Sequence, residues 1–286
     1  MSRGNLGVRV ALATVALPVV FVLIYLLPYH RHLAVNLGVV AVTAAGALEM
    51  ERLLAARGAA RFRALALLSA TIPAAAYLEI MGLIAPFWFQ LLVVALVCGT
   101  LLSRLRISGQ ADLPPLLGNA GASLLLLAYP ALFASFIVRI AGLSQPTLAL
   151  LFFFSLNFAN DILAYLAGSF LGRRTRLGYL VSPNKSVVGF AAGLAASVGI
   201  AVLFRGVLPG FFPVSYPAAA GFGLGIGVLT IGGDLIESGF KRSAQVKDSG
   251  GSIPGRGGVL DSIDSWLLSA PAFYFVLRAV SGYIGP

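Results

Sequence analysis

Residues 214–238 read VSYPAAAGFGLGIGVLTIGGDLIES, and this run decides the class of fold. About 20 mostly apolar residues are enough for an α-helix to cross the hydrocarbon core of a bilayer. The run ends in Asp234, Glu237 and Ser238, and Lys241 follows it. Residues three or four positions apart share one face of a helix. The pattern therefore predicts a membrane-spanning helix with a charged face at one end.

Eight further apolar runs lie along the 286-residue chain, which is 59% hydrophobic and only 10% charged. Soluble domains carry about 25% charged residues, so this composition excludes an ordinary soluble protein. The first run lacks a small-residue cleavage site, so we expect a retained helix and no signal peptide. We predict one all-α polytopic membrane domain, 1–286, with N-terminal helices in 1–146 and the catalytic helices and loops in 147–286. The nine predicted spans are 8–28, 33–56, 64–84, 86–107, 116–140, 147–170, 187–208, 214–238 and 260–283.

Lysine and arginine are distributed unevenly between the two sides of these spans. With the N-terminus in the cytoplasm, only Arg31, Arg139, Arg205 and Arg278 of the 20 basic residues fall on the outer side. Cytoplasmic loops carry an excess of Lys and Arg, so we expect this orientation. It places the loops near 171–186 and 239–259 in the cytoplasm. Because topology accounts for the net charge of +10, no nucleic-acid partner is predicted.

Residues 238–264, SGFKRSAQVKDSGGSIPGRGGVLDSID, concentrate charges of both signs beside two apolar runs. Charged groups beside hydrocarbon are costly, so such a cluster indicates a functional site. Asp261 and Asp264 open the last span, where capping of the helix is the alternative role for a carboxylate. We expect the preceding GRGG to offer free backbone amides to phosphate oxygens. Carboxylates from two helices could then hold a metal ion and a polyphosphate.

The acids of the 214–238 run have two interpretations. One is an ion pair of Asp234 or Glu237 with Lys241 or Arg242 that stabilises the helix bundle. The other, which we favour because further acids converge nearby, is a carboxylate in a water-filled cavity that binds a divalent cation.

Two segments upstream carry further candidates. Asp161 shares a helix face with Tyr165, and an unpaired aspartate within a span indicates a buried functional role. The motif SPNKS at 182–186 precedes the next span, where Lys185 and Ser186 could contact phosphate. Helix initiation combined with topology is the alternative interpretation of this motif.

Other polar or small residues within the spans indicate packing. Glycines alternate in GFGLGIG at 221–227, and small residues four positions apart allow close contact between helices. No strand precedes them, so they do not form a dinucleotide-binding fingerprint. Glu49 and Glu79 are expected to make internal hydrogen bonds.

The segment from Asp161 to Asp264 resembles the phosphatidate cytidylyltransferases, the CDP-diacylglycerol synthases. The resemblance is carried by S-x-F-K-R at 238–242, K-D at 247–248, Gly250, I-P at 253–254, G-G-V at 257–259, Asp261 and I-D at 263–264. Upstream it extends to D-x-x-A-Y-x-x-G at 161–168, G-R at 172–173 and SPNKS at 182–186. Three positions depart from the family pattern: Arg256 replaces the usual His, Ser262 the usual Arg, and Val188 a frequent acid.

The resemblance implies that phosphatidic acid and CTP react to give CDP-diacylglycerol and pyrophosphate. It implies Mg²⁺ bound by Asp234 and Asp261, with a second, monovalent cation left open. The residues that it places in catalytic roles are Asp234, Lys241, Arg242, Lys247, Asp248, Asp261 and Asp264. Those that it places near substrate are Asp161, Tyr165, Ser182, Lys185, Ser238, Arg256, Gly257 and Gly258.

Two other functions stay open at this point: a CTP-dependent transferase for a different lipid phosphate, and a transporter or flippase for an anionic substrate. Transporters often contain paired halves with matching broken helices, and no such symmetry is evident. The expected partners are CTP, phosphatidic acid and the lipid bilayer, and the many small residues in the spans are compatible with a homodimer. The expected location is a bacterial-type cytoplasmic (inner) membrane, with the active site facing the cytoplasm.

Overall fold

A computed structural model describes residues 18–105, 110, 113–178, 180–183, 185–253, 255 and 257–280. Eight helices in this part of the chain are long and apolar enough to cross a membrane, so the protein is an integral membrane protein. They are α1 (Tyr29–Ala55), α2 (Arg63–Ile80), α3 (Pro86–Arg104), α4 (Leu116–Ile140), α5 (Pro146–Phe170), α6 (Val187–Val207), α7 (Tyr216–Ser243) and α8 (Leu260–Val280).

The predicted all-α polytopic bundle is confirmed. The eight helices match eight of the nine predicted spans, and the described residues contain isolated bridge pairs but no extended strand. Of the first predicted span, residues 18–26 are helical, and its earlier part lies outside the described residues.

Two of the spans are interrupted. Helix α2 consists of Arg63–Ser69 and Thr71–Ile80, which meet at Ala70. Helix α4 contains a π-helical turn at Ala128–Leu132, which includes Pro130. Proline has no backbone N–H, and a π-turn is one way in which a helix accommodates the lost hydrogen bond.

An aromatic core joins the last four spans. The ring of Phe152 on α5 stacks on Phe204 of α6, with 4.3 Å between ring centroids. It also contacts Phe222 on α7 and Phe273 on α8. These helices pack consecutively, and α8 also contacts α1 and α4. The C-terminal helices therefore form one unit that rests against the N-terminal helices.

Close helix contacts depend on glycine at specific positions of α7. A Cβ atom at Gly223 or Gly227 would press into Ser197 and its neighbours on α6, whereas Gly221 and Gly225 face open space. Two of the four alternating glycines thus serve the predicted packing. Further along α7, a Cβ at Gly233 would collide with the backbone of Asp264 on α8.

An ion pair stabilises the N-terminal helices. Arg139 at the end of α4 donates two hydrogen bonds to the carboxylate of Glu79 on α2, at 3.0 and 2.7 Å. The guanidinium also lies over the ring of Phe89, 4.3 Å from its centroid. The internal bonding expected for Glu79 is therefore confirmed.

Substitution of Gly233 by alanine is expected to separate α7 from α8. The added methyl group meets backbone atoms, which cannot rotate away, so we expect a loss of about 1–3 kcal/mol of stability. Gly225→Ala is the matched control because it lies on the same helix in open space, where alanine favours the helix by about 1 kcal/mol. Thermal unfolding in detergent measures both variants, and equal melting temperatures would contradict this packing.

Candidate functional site

The cytoplasm-facing ends predicted for α5, α7 and α8 come together around a group of charged side chains. Ion pairs and electrostatic interactions connect them into one cluster. We call this the charged cluster; it consists of Asp161, Lys185, Asp234, Glu237, Lys241, Asp261 and Asp264. Its five carboxylates come from three helices, and its two ammonium groups come from α7 and from the loop before α6.

Lys241 connects α7 to α8. Its ammonium group pairs with Glu237, one turn earlier on the same helix, and lies 2.5 Å from Oδ1 of Asp261. Only 14% of the Lys241 side chain is exposed. The ion-pair interpretation is therefore correct for Glu237. Asp234 instead pairs with Lys185, so α7 is also joined to the SPNKS motif.

The second carboxylate oxygen of Asp261 holds the loop that precedes α8. Oδ2 accepts hydrogen bonds from the backbone N–H of Ser249 at 2.9 Å, from Ser249 Oγ at 3.0 Å and from the N–H of Gly258 at 2.6 Å. The N–H of Gly257 donates to the carbonyl of Ile253 at 3.0 Å. The expectation of free amides is therefore wrong for both of these glycines. Arg256 lies outside the described residues.

Glycine is required where this loop turns back on itself. Gly257 has φ +111°, a conformation that residues with a Cβ rarely adopt. A Cβ at Gly257 would also collide with the carboxylate of Asp261. Gly257 and Gly258, which belong to the motif shared with the family, therefore shape the loop around Asp261. Their backbone amides form hydrogen bonds with other groups of the protein.

Glu49 of α1 binds the same loop, a contact that its position in the sequence does not reveal. It is buried, and it accepts hydrogen bonds from the hydroxyl groups of Ser249 and Ser252 and from the N–H groups of Val259 and Leu260. The internal bonding expected for Glu49 is confirmed. Its link to the charged cluster was missed because about 200 residues separate it from the loop.

A polar network continues from the charged cluster into the bundle. Asp264 is buried and accepts a hydrogen bond from the N–H of Ser265 at 2.6 Å. The Ser265 hydroxyl donates to Asp161 Oδ2 at 3.1 Å, which connects α8 to α5. Deeper still, Asn157 accepts hydrogen bonds from Thr230 and from a serine of α8, at 3.0 and 2.9 Å. Asp161 and Asp264 therefore lie on the inner side of the cluster.

The SPNKS motif combines structural and electrostatic roles. Ser186 is the N-cap of α6, and its Oγ accepts a hydrogen bond from the N–H of Gly189 at 3.1 Å. Lys185 points to Asp234, and Ser182 is half-buried beside it in the chain. Asn184 lies outside the described residues. Helix initiation and a charged contact are thus both present.

The remaining predicted residues lie at the margin of the cluster or away from it. Ser238 is buried on α7, whereas Tyr165, Arg242, Lys247 and Asp248 are exposed. Arg242 donates to the carbonyl of residue 181 at 3.4 Å.

The chemistry of the cluster fits a hard divalent cation. Carboxylate oxygens are the ligands that Mg²⁺ prefers, and five carboxylates here face two ammonium groups. Glu237 is buried, and its carboxylate pairs with the ammonium group of Lys241. In the described chain, however, no three acidic, His or Cys side chains are arranged as a ready metal site. Asp234 and Asp261, the predicted ligands, are each paired with a different lysine.

Burial lowers the pKa of Lys185 to about 8, although Asp264 and Asp161 act in the opposite direction. The ordinary lysine pKa is higher, so the folded protein binds fewer protons than the unfolded chain between pH 8 and 10.5. Linkage then makes the contribution of Lys185 to stability rise with pH across this window, whereas below pH 8 both states carry the proton and the contribution stays at its lowest value. Above about pH 8 the Lys185 side chain is mostly neutral, so it no longer forms an ion pair with Asp234.

Comparison with known proteins gives the same family along nearly the whole chain. A model described as the cytidylyltransferase family matches residues 7–280. The phosphatidate cytidylyltransferase of Bacillus subtilis is 37% identical over 147 residues, 51% of this chain and 54% of the relative. That of Synechocystis is 45% identical over 125 residues, 43% and 41% of the two chains, and that of Thermotoga maritima is 35% identical over 161 residues, 55% and 59%. The matched segments span about half the length of these relatives.

Lys185 is expected to react with amine-acylating reagents at unusually low pH. Its neutral fraction should rise with a midpoint at about pH 8. The folded protein is labelled briefly at a series of pH values, and mass spectrometry of its peptides after digestion measures the midpoint for each lysine. Lys247, an exposed lysine in the next long loop, is labelled in the same samples and provides the comparison. A Lys185 midpoint near 10.5 would contradict the burial argument.

Proposed function

Because the chain belongs to the cytidylyltransferase family, we propose that it is a phosphatidate cytidylyltransferase that makes CDP-diacylglycerol from CTP and phosphatidic acid. The observation that carries the proposal is the contact between Lys241 and Asp261. These residues lie near opposite ends of the charged segment 238–264, and the fold brings them to 2.5 Å from each other. The names of the relatives from three bacteria support the same activity.

The reaction requires the protein to align its two substrates, and it needs no covalent bond between protein and substrate. An oxygen of the phosphatidate phosphate forms a bond to the α-phosphorus of CTP. The bond from that phosphorus to the oxygen bridging to the β-phosphate breaks, and pyrophosphate leaves with the electron pair. The attacking phosphate is already anionic at neutral pH, so no strong general base is needed. Catalysis then depends on holding two anions in line and neutralising their charge.

Charge balance supports a divalent cation in this site. The charged cluster has more carboxylates than ammonium groups, so without a bound cation it would repel a nucleoside triphosphate. We propose Mg²⁺ held by Asp234 and Asp261, whose contacts with Lys185 and Lys241 would rearrange around it. When bound, the ion supplies neutralisation of the triphosphate. A second, monovalent cation is compatible with the same surplus of carboxylates.

The cationic residues are proposed to bind phosphate oxygens in two places, within the charged cluster and at its exposed margin. Lys185 and Lys241 lie within the cluster, where low exposure strengthens their interaction with an anion. Arg242 and Lys247 are exposed at its margin and would contact the incoming substrates. Arg256 is proposed to act with them, in place of the arginine that the family usually has at position 262.

The other predicted residues are proposed to shape the site. Asp248 and the glycines of the loop set its path around Asp261, and Asp264 orients the first turn of α8. The remaining residues, on or beside α5 and α7, are proposed to form the pocket walls: Asp161, Tyr165, Ser182 and Ser238.

The proposed site faces the cytoplasm of a bacterial-type inner membrane. The distribution of lysine and arginine supports this orientation, and it places the charged cluster where CTP is available. Phosphatidic acid would reach the cluster from the bilayer. A homodimer stays a prediction.

Asp261→Asn is expected to reduce turnover about 100-fold or more, the loss typical when a preorganised charged contact is removed. The amide lacks the charge that pairs with Lys241, and one of its two ends cannot accept a hydrogen bond. Purified protein is incubated with radiolabelled CTP, phosphatidic acid and Mg²⁺, and lipid-linked CMP is measured. Turnover near the unsubstituted level would return Asp261 to a helix-capping role.

Control reactions separate this function from its alternatives. Glu79→Gln removes a partly buried carboxylate outside the cluster, and we expect it to retain turnover per folded molecule. A product formed only with a different lipid phosphate would assign the chain to that substrate. If the folded protein makes no lipid-linked CMP from any lipid phosphate, the transferase function is wrong and an anion transporter becomes the better hypothesis.

A further inference from the structure

Glu49 fixes both ends of the segment 249–260. Its Oε1 accepts hydrogen bonds from Ser252 Oγ at 2.8 Å and from the N–H of Val259 at 3.1 Å. Its Oε2 accepts from Ser249 Oγ at 3.0 Å and from the N–H of Leu260 at 2.9 Å. A side chain of α1 thus holds the start of the segment, its middle and the first turn of α8.

The surroundings of Glu49 are closely fitted to its carboxylate. Only 2% of the residue is exposed. A Cβ atom at Gly250 or Gly258 would collide with the Glu49 oxygens, so the loop backbone approaches the carboxylate directly. Four donors and the N-terminal end of α8 stabilise the charge. Such a full set of bonds makes this carboxylate a rigid support.

Ser249 connects this support to the charged cluster. Its hydroxyl lies 3.0 Å from Glu49 Oε2 and also 3.0 Å from Asp261 Oδ2. The hydroxyl has one hydrogen, so it can donate to only one of the two carboxylates at a time. The backbone N–H of Ser249 donates to Asp261 as well, at 2.9 Å. Displacement of Glu49 would therefore shift Ser249 and change the bonds that orient Asp261.

We propose that Glu49 is a positioning residue for the transfer reaction: it holds Ser249 and the first turn of α8 so that Asp261 faces Lys241. Glu49 itself contacts no substrate. The inference rests on the proposed function, and it gives the N-terminal helices a role in the site. The family-like segment from Asp161 to Asp264 does not include this residue.

Glu49→Gln tests the proposal because it keeps the shape of the side chain. The amide nitrogen cannot accept a hydrogen bond, so two of the four donors lose their partner. We expect kcat to fall about 10- to 100-fold, as misplacement by a fraction of an ångström allows, with KM for CTP changed less than about 3-fold. Hydrogen exchange followed by mass spectrometry should show faster exchange at residues 249 and 258–260.

A double-substitution cycle tests the route through Ser249. If Glu49 acts through that hydroxyl, Glu49→Gln combined with Ser249→Ala should lose no more activity than the more damaging single variant. Losses that multiply would overturn the route. Ser252→Ala removes one hydrogen-bond donor to Glu49 and keeps the Glu49 carboxylate. We expect a smaller fall in kcat in this variant, which can be measured even if Glu49→Gln is not produced as folded protein.

Glu79→Gln is the matched control. It neutralises a partly buried carboxylate of the N-terminal helices, one that pairs with Arg139 far along the chain from the loop. We expect a lower melting temperature, with kcat and exchange at 249–260 unchanged. The same kinetic loss in this variant would overturn a specific role for Glu49.

The outcomes separate this inference from the proposed function. Normal kcat and exchange in Glu49→Gln, together with an inactive Asp261→Asn, would overturn the positioning role and leave the enzyme function standing. If the unsubstituted protein makes no product, the proposed function is wrong. Hydrogen exchange in Glu49→Gln then tests the remaining claim, that Glu49 holds the loop and the first turn of α8. Unchanged exchange at 258–260 would then overturn it, and faster exchange would support it.

Discussion

The ion pair between Lys241 and Asp261 is the interaction on which the site depends. Two charges at the edge of a membrane bundle are expensive unless each has a partner, and removal of one partner leaves the other uncompensated. The pair joins the end of α7 to the start of α8, so the loop between them must return close to its origin. Glycines at the turn, hydrogen bonds from Ser249 to Asp261 and the close approach at Gly233 are all consequences of that geometry.

The surplus of carboxylates over ammonium groups fits the proposed reaction between two anions. Lysines alone would bind phosphate without a metal ion, whereas a surplus of acid in low dielectric favours a divalent cation and, with it, a triphosphate. The lysines then occupy a double role. Lys185 pairs with Asp234 and Lys241 with Asp261, and in the proposed function both lysines would contact phosphate oxygens when those carboxylates engage a cation.

Spans could be predicted from the sequence because length and apolar composition alone determine them. The resemblance also named six of the seven residues that meet in the charged cluster, all except Glu237. Three features could not be obtained this way. The pairing of Asp234 with Lys185 depends on how α6 packs against α7. The hydrogen bonds of the Gly257 and Gly258 amides depend on the conformation of the loop before α8. Glu49 lies some 200 residues along the chain from its partners.

The position of Glu49 also shows what the N-terminal helices contribute. A loop rich in glycine has many conformations, and fixing it costs about 1–2 kcal/mol of backbone entropy per residue. Contacts within the C-terminal helices hold the loop at Asp261, but the side facing α1 would lack partners for the N–H groups of Val259 and Leu260. A single buried carboxylate satisfies both groups and two serine hydroxyls. The packing of α1 against α8 therefore determines the order of the loop, and through it the geometry of the charged cluster.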